Sequence, residues 1–227
     1  MAKFFLGKPY VGRTLEIGDK ESLVVNLREL DCMTLVETCL ALSRALNSNE
    51  PNFDEFTKEL TKIRYRNGII NGYTSRLHYS TDWMYDNEKM EIFQDITDKI
   101  GGKPFHPNVG FMSQNPYKYK HLKDDPKAVQ QMADYEKAIN SRTTYYYIPK
   151  NEIYKHKSKI KSGDIIGFTT SMKGLDISHL AIAYWDDDVL TFIHASSNEM
   201  KVIINPISIA DYCKSIKTNT GIVVLRP

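Results

Sequence analysis

The stretch Leu30-Asp31-Cys32-Met33-Thr34-Leu35-Val36-Glu37-Thr38 places a cysteine at the point where an apolar, helix-periodic pattern begins. The pattern predicts a helix over residues 32–46, with these apolar positions on one side: Leu35, Val36, Cys39, Leu40, Leu42 and Leu46. Unpaired backbone N–H groups and the helix dipole favour a thiolate at such a position. We therefore expect Cys32 to be a reactive nucleophile, with an inert buried cysteine as the alternative.

The bulk composition is that of an ordinary globular protein. Of 227 residues, 41% are hydrophobic and 26% are charged, and a net charge of +2 is too small to predict nucleic acid as a partner. No apolar run approaches the roughly 18 residues that a membrane-spanning helix requires, so we expect none. Three cysteines and six histidines without metal-ligand spacing predict neither a disulfide framework nor a metal site.

The order of predicted elements indicates helices first and a sheet later. Helices are predicted at 52–65, 82–91, 125–139 and 207–216. Short strands are predicted at 13–17, 22–26 and 144–148. Later strands are predicted at 179–185, 189–195 and 221–225, and one more is predicted to end near Phe168. Residues 64–85 interrupt the periodicity with arginines, tyrosines, a histidine and a tryptophan, which predicts a loop that contacts a ligand. One α+β domain over residues 1–227 is the expected architecture.

Two histidines in the last third are candidate partners for Cys32. His179 opens an apolar strand, and His194 lies in the next one. A hairpin turn centred on Asp187 would place residue 195 opposite residue 179, so that a small register slip or bulge aims both imidazoles at one site. A cysteine nucleophile needs a base and a polar group that orients that base. One histidine at a strand end is more often structural, but this combination predicts catalysis.

Four motifs, in this order, resemble the NlpC/P60 cell-wall hydrolases: Asp31-Cys32, Ser162-Gly163-Asp164-Ile165-Ile166-Gly167-Phe168, Ser178-His179-Leu180-Ala181-Ile182-Ala183-Tyr184 and Phe192-Ile193-His194-Ala195-Ser196. The resemblance implies a papain-like α+β core with N-terminal helices packed on a mostly antiparallel C-terminal sheet. It implies Cys32 as the nucleophile, His179 as the base and His194 as the orienting residue. No metal or organic cofactor is implied.

Three further segments are similar to the DUF1460 branch, which resembles N-acetylmuramoyl-L-alanine amidases: Leu6–Glu16, Arg64–Gly68 and Gly72–Trp83. The branch implies insertions at about 64–158 and a peptidoglycan or muropeptide substrate. The amide between N-acetylmuramic acid and L-Ala would be cleaved through a thioester. Met33-Thr34 replaces the Ser-Gly of many relatives and predicts a reshaped pocket. A γ-D-glutamyl-diamino acid endopeptidase and a non-catalytic peptidoglycan-binding module remain as alternatives.

The residues expected to contact the substrate lie around Cys32, in residues 64–85 and beside His179: Tyr10, Asp31, Arg64, Asn67, Tyr73, Arg76, His78, Tyr79, Asp82, Trp83 and Ser178. Aromatic rings stack on sugars, and arginine pairs with carboxylates. Asp31 could instead cap the helix. The resemblance points to the cell envelope of a bacterium, whereas the first ten residues are too weakly apolar for a secretion signal. We therefore expect either a cytoplasmic protein or one whose signal has been removed.

Overall fold

The computed structural model describes all residues, 1–227. The α-helices are α1 (Cys32–Leu46), α2 (Phe53–Arg64), α3 (Ser80–Lys89), α4 (Phe111–Gln114), α5 (Pro126–Ser141), α6 (Ile153–His156) and α7 (Ile209–Ser215). The strands are β1 (Gln94–Asp95), β2 (Lys103–Pro104), β3 (Tyr146–Pro149), β4 (Ile165–Thr170), β5 (Ile177–Asp186), β6 (Val189–Ser196), β7 (Lys201–Ile204) and β8 (Asn219–Arg226).

The eight strands form one sheet in the order β2-β3-β8-β4-β5-β6-β7, and β1 also pairs with β8. Every strand pair is antiparallel. The first three helices share a buried apolar core with β4, β5 and β8, which includes Val36, Leu40, Phe56, Leu60, Trp83, Ile165, Leu180 and Val223. The predicted α+β class and the packing of N-terminal helices on an antiparallel sheet are therefore confirmed.

Helix α1 has the bounds that its sequence pattern predicts, because a capping box fixes its start. The Asp31 carboxylate accepts hydrogen bonds from the backbone N–H and the hydroxyl of Thr34, both at 2.8 Å. The Thr34 hydroxyl oxygen in turn accepts the Asp31 backbone N–H at 2.9 Å. Such a cap contributes about 1 kcal/mol to helix stability. Cys32 is therefore held as the first residue of the helix.

The hairpin of β5 and β6 brings the two candidate histidines to one face of the sheet. Its register runs from Asp186↔Val189 to Ile182↔Ile193, so the turn has two residues and Asp187 has φ +47°. Continued along the strands, this register places residue 196 opposite residue 179, whereas residue 195 was predicted. Because side chains alternate, the corrected register puts His179 and His194 on the same face without a bulge.

Several predicted elements are wrong or displaced. Residues 13–17 and 22–26 contain turns and irregular backbone instead of strands, and β7 was not predicted. Residues 64–85 are not an open loop: two short 3-10 helices, Arg66–Gly68 and Tyr73–Ser75, lie before α3. None of the helices is long and apolar enough to cross a membrane.

Candidate active site

Cys32 lies where the N-terminus of α1 meets β5. The pairing of β5 with β6 ends at Ile182, which leaves the first half of β5 open towards the helix. The backbone N–H of Leu180, in that open half, lies near the Cys32 sulfur and lowers the pKa of the thiol. The half-buried thiol is thus adjacent in space to the residue that follows His179 in the chain.

Burial opposes the thiolate that the start of the helix predicts. Burial raises the pKa of Cys32 to about 11, and the Asp31 carboxylate raises the pKa further. Hydrogen bonding by the backbone N–H groups of Leu180, Met33 and Cys32 lowers the pKa by less. Loss of hydration penalises the charged form, and here it outweighs the helix terminus. The resting sulfur is therefore a protonated thiol.

His179 and His194 are hydrogen-bonded to each other. Nε2 of His179 lies 2.7 Å from Nδ1 of His194, and the rings meet edge to face with centroids 4.9 Å apart. Burial lowers the pKa of His179 to about 3 and that of His194 to about 4, so both imidazoles are neutral near neutral pH. The hydrogen bond leaves Nδ1 of His179 as the nitrogen that can take a proton from the thiol. We call Cys32, His179 and His194 the thiol–imidazole cluster.

Two residues of this site were missed by the sequence analysis. The Tyr212 ring lies 6.3 Å from that of His179 and 5.9 Å from that of His194, and both burial and the nearby Cys32 raise the pKa of Tyr212. Asn205 lies beside His194. A cavity of about 150 Å³ adjoins them, lined by His179, His194, Ser196, Ser197, Asn198, Glu199, Ile203, Asn205, Pro206 and Tyr212. Neither residue belongs to a motif that could have marked it.

Three predicted substrate contacts lie near the thiol–imidazole cluster. Burial raises the pKa of Tyr10, and the charges of Cys32 and Asp31 raise it further. Asp31 is the cap of α1. Ser178 lies next to His179 in the chain, but its hydroxyl donates to the side chain of Asn219 at 2.8 Å. The Ser178 hydroxyl is therefore occupied by a residue of β8.

The two predicted carboxylate-binding arginines are already paired within the protein. Arg64, 3% exposed, donates to Glu37 at 2.7 Å and to a backbone carbonyl at 2.6 Å. Arg76 donates to Glu16 at 2.6 Å and lies 3.6 Å from Glu21. The expectation that either guanidinium meets a peptide carboxylate is corrected, since both neutralise acids of this chain.

Three aromatic and acidic residues of the segment 64–85 are also buried and occupied by contacts within the protein. Trp83 is completely buried in the apolar core, and the Tyr79 hydroxyl donates to Glu136 at 2.6 Å. Asp82 accepts from Arg66 at 2.6 Å and from Arg142 at 2.7 Å. These side chains stabilise the packing of α3 and α5, so their predicted contact with substrate is corrected to a structural role.

The remaining three predicted contacts are also occupied by local structure. Tyr73 is buried, its ring stacks on that of His121 with centroids 5.0 Å apart, and its carbonyl oxygen lies 2.9 Å from Nε2 of His78. Asn67 is exposed in a left-handed turn with φ +51°, and its backbone N–H donates to Asp86 at 2.8 Å. The contacts predicted for Tyr73 and His78 are corrected to a structural role, whereas the exposed Asn67 side chain stays a predicted contact.

The cysteine, histidine and acidic side chains do not form a metal-binding arrangement. No group of three or more histidine, cysteine, aspartate or glutamate side chains is arranged so that it could hold a metal ion. The groups that meet at the site are therefore a thiol, two imidazoles and a phenol, supported by backbone N–H groups. This set is suited to nucleophilic attack on a carbonyl followed by proton transfer.

A family model described as AmiA-like, N-acetylmuramoyl-L-alanine amidase-like, matches residues 1–222. Because the match spans almost the whole sequence, this chain belongs to the AmiA-like family. No curated protein sequence matches the chain significantly.

Solved structures support the same assignment. An N-acetylmuramoyl-L-alanine amidase from Bacteroides uniformis is 38% identical, with a TM-score of 0.94 over 99% of this chain and 94% of that one. A Bacteroides fragilis protein described as a candidate xylanase is 39% identical, with a TM-score of 0.95 over 100% and 99%. A DUF1460 protein from Legionella pneumophila, 24% identical with a TM-score of 0.72 over 100% and 87%, shares the fold.

Proposed function

We propose that this protein is a cysteine amidase that hydrolyses the amide between N-acetylmuramic acid and L-Ala in peptidoglycan fragments. The observation that carries the proposal is the placement of the Cys32 thiol, at the start of α1, beside the backbone of Leu180, the residue that follows His179, which is itself hydrogen-bonded to His194. The substrate rests on the family, which is described as N-acetylmuramoyl-L-alanine amidase-like, and on the amidase relative from Bacteroides uniformis.

In the proposed reaction, Nδ1 of His179 takes the proton from the Cys32 thiol as the sulfur attacks the lactyl carbonyl of the muramyl group. The backbone N–H of Cys32 donates a hydrogen bond to the carbonyl oxygen as it becomes negative. When the C–N bond breaks, His179 gives its proton to the nitrogen of L-Ala, and the sulfur remains joined to the muramyl acyl group. Water, deprotonated by His179, then attacks the thioester carbonyl. The C–S bond breaks, free N-acetylmuramic acid leaves, and His179 returns the proton to the Cys32 sulfur.

The neutral resting state fits this sequence of steps. The pKa of the Cys32 thiol is raised and that of the His179 imidazole is lowered, so transfer of the proton from Cys32 to His179 is unfavourable in the resting site. The transfer becomes favourable when the sulfur attacks the carbonyl and its negative charge moves to the carbonyl oxygen. His194 stabilises the imidazolium of His179 through the hydrogen bond of 2.7 Å, which orients the ring as the third member of a triad does. His194 is thus a positioning residue, and Cys32 and His179 are the catalytic residues.

The wider assignments of the sequence analysis belong to the same proposal. The order of motifs supports membership of the NlpC/P60 superfamily and a papain-like core over residues 1–227, with the insertions at about 64–158. The sheet supports one catalytic domain, because β1 of the insertion pairs with β8 of the core. The bacterial cell envelope is the proposed place of action, since the substrate is found there.

One relative is described as a candidate xylanase, so glycoside hydrolysis is the activity to compare with the proposed amide hydrolysis. Glycoside hydrolases use two carboxyl groups placed on either side of the scissile bond. The reactive groups in this cluster are a thiol and two imidazoles, and Asp31, which precedes Cys32 in the chain, holds the cap of α1. This chemistry favours acyl transfer over glycoside hydrolysis.

The test is mass spectrometry of products from a defined muropeptide, with xylan as a parallel substrate. We expect free N-acetylmuramic acid and an intact peptide that begins with L-Ala. Cys32→Ala should abolish both products, whereas Cys39→Ala, the same change deeper in the same helix, should retain them. Cleavage between D-Glu and the diamino acid would establish an endopeptidase instead. Binding without cleavage, with Cys32 no more reactive to iodoacetamide than Cys39, would establish a binding module.

A further inference from the structure

The second ring nitrogen of His194 has an unusual environment. His194 is 3% exposed, and its Nδ1 is occupied by the contact with His179. Its Nε2 is buried and has no hydrogen-bond partner of normal geometry. A buried polar nitrogen without a partner is costly, so a native structure rarely leaves one without a reason.

The side chain of Asn205 lines the same cavity as His194 and raises the pKa of His194. Because Nδ1 is occupied by His179, Nε2 is the nitrogen left to face Asn205. The Nδ2 of Asn205 donates to the carbonyl oxygen of Ile207 at 2.9 Å, which fixes the orientation of the amide. With its nitrogen held there, the atom that Asn205 offers to His194 is the oxygen Oδ1, an acceptor.

The backbone around Asn205 is held as firmly as its side chain. Its N–H donates to the carbonyl oxygen of Phe192 at 2.8 Å, and its carbonyl accepts from the Thr191 hydroxyl at 2.6 Å. The same hydroxyl lies 3.0 Å from the carbonyl oxygen of Ile207. Asn205 is therefore fixed to β6, the strand that carries His194.

An acceptor from Asn205 facing Nε2 of His194 would determine where the protons of the two imidazoles reside. An acceptor at Nε2 of His194 requires a proton on that nitrogen, which leaves Nδ1 of the same ring as an acceptor. Nε2 of His179 must then carry the proton of the 2.7 Å hydrogen bond. Nδ1 of His179 is consequently unprotonated and ready to accept the proton of Cys32.

We propose that Asn205 is a positioning residue that sets the tautomers of His194 and His179, and thereby extends the thiol–imidazole cluster to a fourth member. The inference rests on the proposed cysteine amidase activity for its catalytic consequence. The tautomers themselves are a property of the substrate-free protein, so they can be measured independently of that activity.

The two informative substitutions are Asn205→Leu and Asn205→Asp. Both remove the donor to Ile207, but only Asn205→Asp keeps an acceptor for His194. If Asn205 only held the local backbone, both variants would lose function equally. Asn151→Leu is the matched control, because Asn151 is exposed and lies outside the site.

The first measurement is ¹H–¹⁵N NMR of the histidine rings in the substrate-free protein. We expect His179 and His194 to be protonated at Nε2 in the wild type, Asn205→Asp and Asn151→Leu. In Asn205→Leu, forms protonated at Nδ1 should appear in both rings. Unchanged tautomers in Asn205→Leu would overturn the proposal, as would protonation at Nδ1 of His194 in the wild type.

The second measurement is muropeptide hydrolysis across pH. Asn205→Leu should lower kcat on the order of 10- to 100-fold with little change in KM, the range observed when a group that orients a histidine is removed. Asn205→Asp should retain most of kcat, with the acidic limb of its profile moved to higher pH. Equal losses in both variants would overturn the proposal. A wild type that cleaves no muropeptide would instead refute the proposed function and leave the NMR test standing.

Discussion

The thiol–imidazole cluster and residues 64–85 were both predicted to face a substrate, yet the structure treats their polar groups in opposite ways. In the cluster, His179 and His194 bond to each other, and the reactive sulfur remains half-buried. In residues 64–85, the charged groups pair with opposite charges of the same chain, as Arg64 does with Glu37 and Arg66 with Asp82. A concentration of polar residues in one segment therefore indicates a functional site only when their polar groups are not paired with other groups of the folded chain.

The largest expected contrast is between activity and stability in His179→Ala. Removing the base should lower kcat by roughly ten-thousand-fold or more, as for a member of a catalytic triad. The melting temperature should change little, because His179 makes its main polar contact within the cluster. Steady-state kinetics and thermal unfolding measure the two effects, with His106→Ala at an exposed position as the control. Retention of a tenth of the activity would remove His179 from the proposed mechanism.

Arg64→Met should show the reverse contrast. It leaves Glu37 buried without its partner, so we expect a loss of about 3–5 kcal/mol in the free energy of unfolding. The kcat of the folded fraction should remain close to the wild-type value. Urea denaturation checks the stability, and adding Glu37→Leu should restore part of it. A specific loss of kcat in a stably folded Arg64→Met protein would return Arg64 to the substrate site.

Acid should destabilise both regions, since each contains a histidine that burial keeps neutral. The pKa values of His194 and His78 are lowered to about 4 and about 3, below the ordinary value of 6.5. The unfolded chain therefore binds more protons as pH falls below about 6.5, and each histidine reduces the free energy of unfolding by about 1.4 kcal/mol per pH unit until its folded pKa is reached.

Above this window the contribution of each histidine to stability is complete. Urea unfolding at several pH values should thus show a shallower acid slope in His78→Gln, with kcat preserved, and no change of slope in His106→Gln. An unchanged slope in His78→Gln would mean that His78 is already protonated or exposed in the folded protein.

The smallest effect concerns the cap of α1. Asp31→Asn retains an N-cap residue but removes the carboxylate that raises the pKa of Cys32. In Asp31→Asn, alkylation of Cys32 by iodoacetamide should therefore reach its half-maximal rate at a lower pH than in the wild type. The free energy of unfolding should remain unchanged. Asp31→Ala should show the same shift and also lose about 1 kcal/mol of stability. A shift to higher pH in Asp31→Asn would show that the carboxylate assists formation of the thiolate.

The parts of the fold and site that the sequence predicts correctly depend on local patterns. The bounds of α1 follow from the apolar period and the Asp31 cap, and the β5–β6 hairpin follows from two apolar strands around an acidic turn. The juxtaposition of His179 and His194 was foreseen, although the predicted register was one residue off because the turn contains two residues. These features need no knowledge of distant segments.

The parts that were missed depend on distant partners. Arg64 and Glu37 are separated by 27 positions, and Arg76 and Glu16 by 60, so no local pattern reveals that each charge is satisfied. Asn205 acquires its place only when its segment folds back onto the strand of His194. The raised pKa of Cys32 also follows from burial by β5, which the helix start alone does not indicate.

The most direct test of the central claim is peptide mapping by mass spectrometry after acid quench of the wild-type protein during muropeptide turnover. The account predicts a muramyl acyl group joined to Cys32, and none on Cys39 or Cys213. Product formation with no acyl group on Cys32 at any quench time, or with the group on another residue, would contradict it.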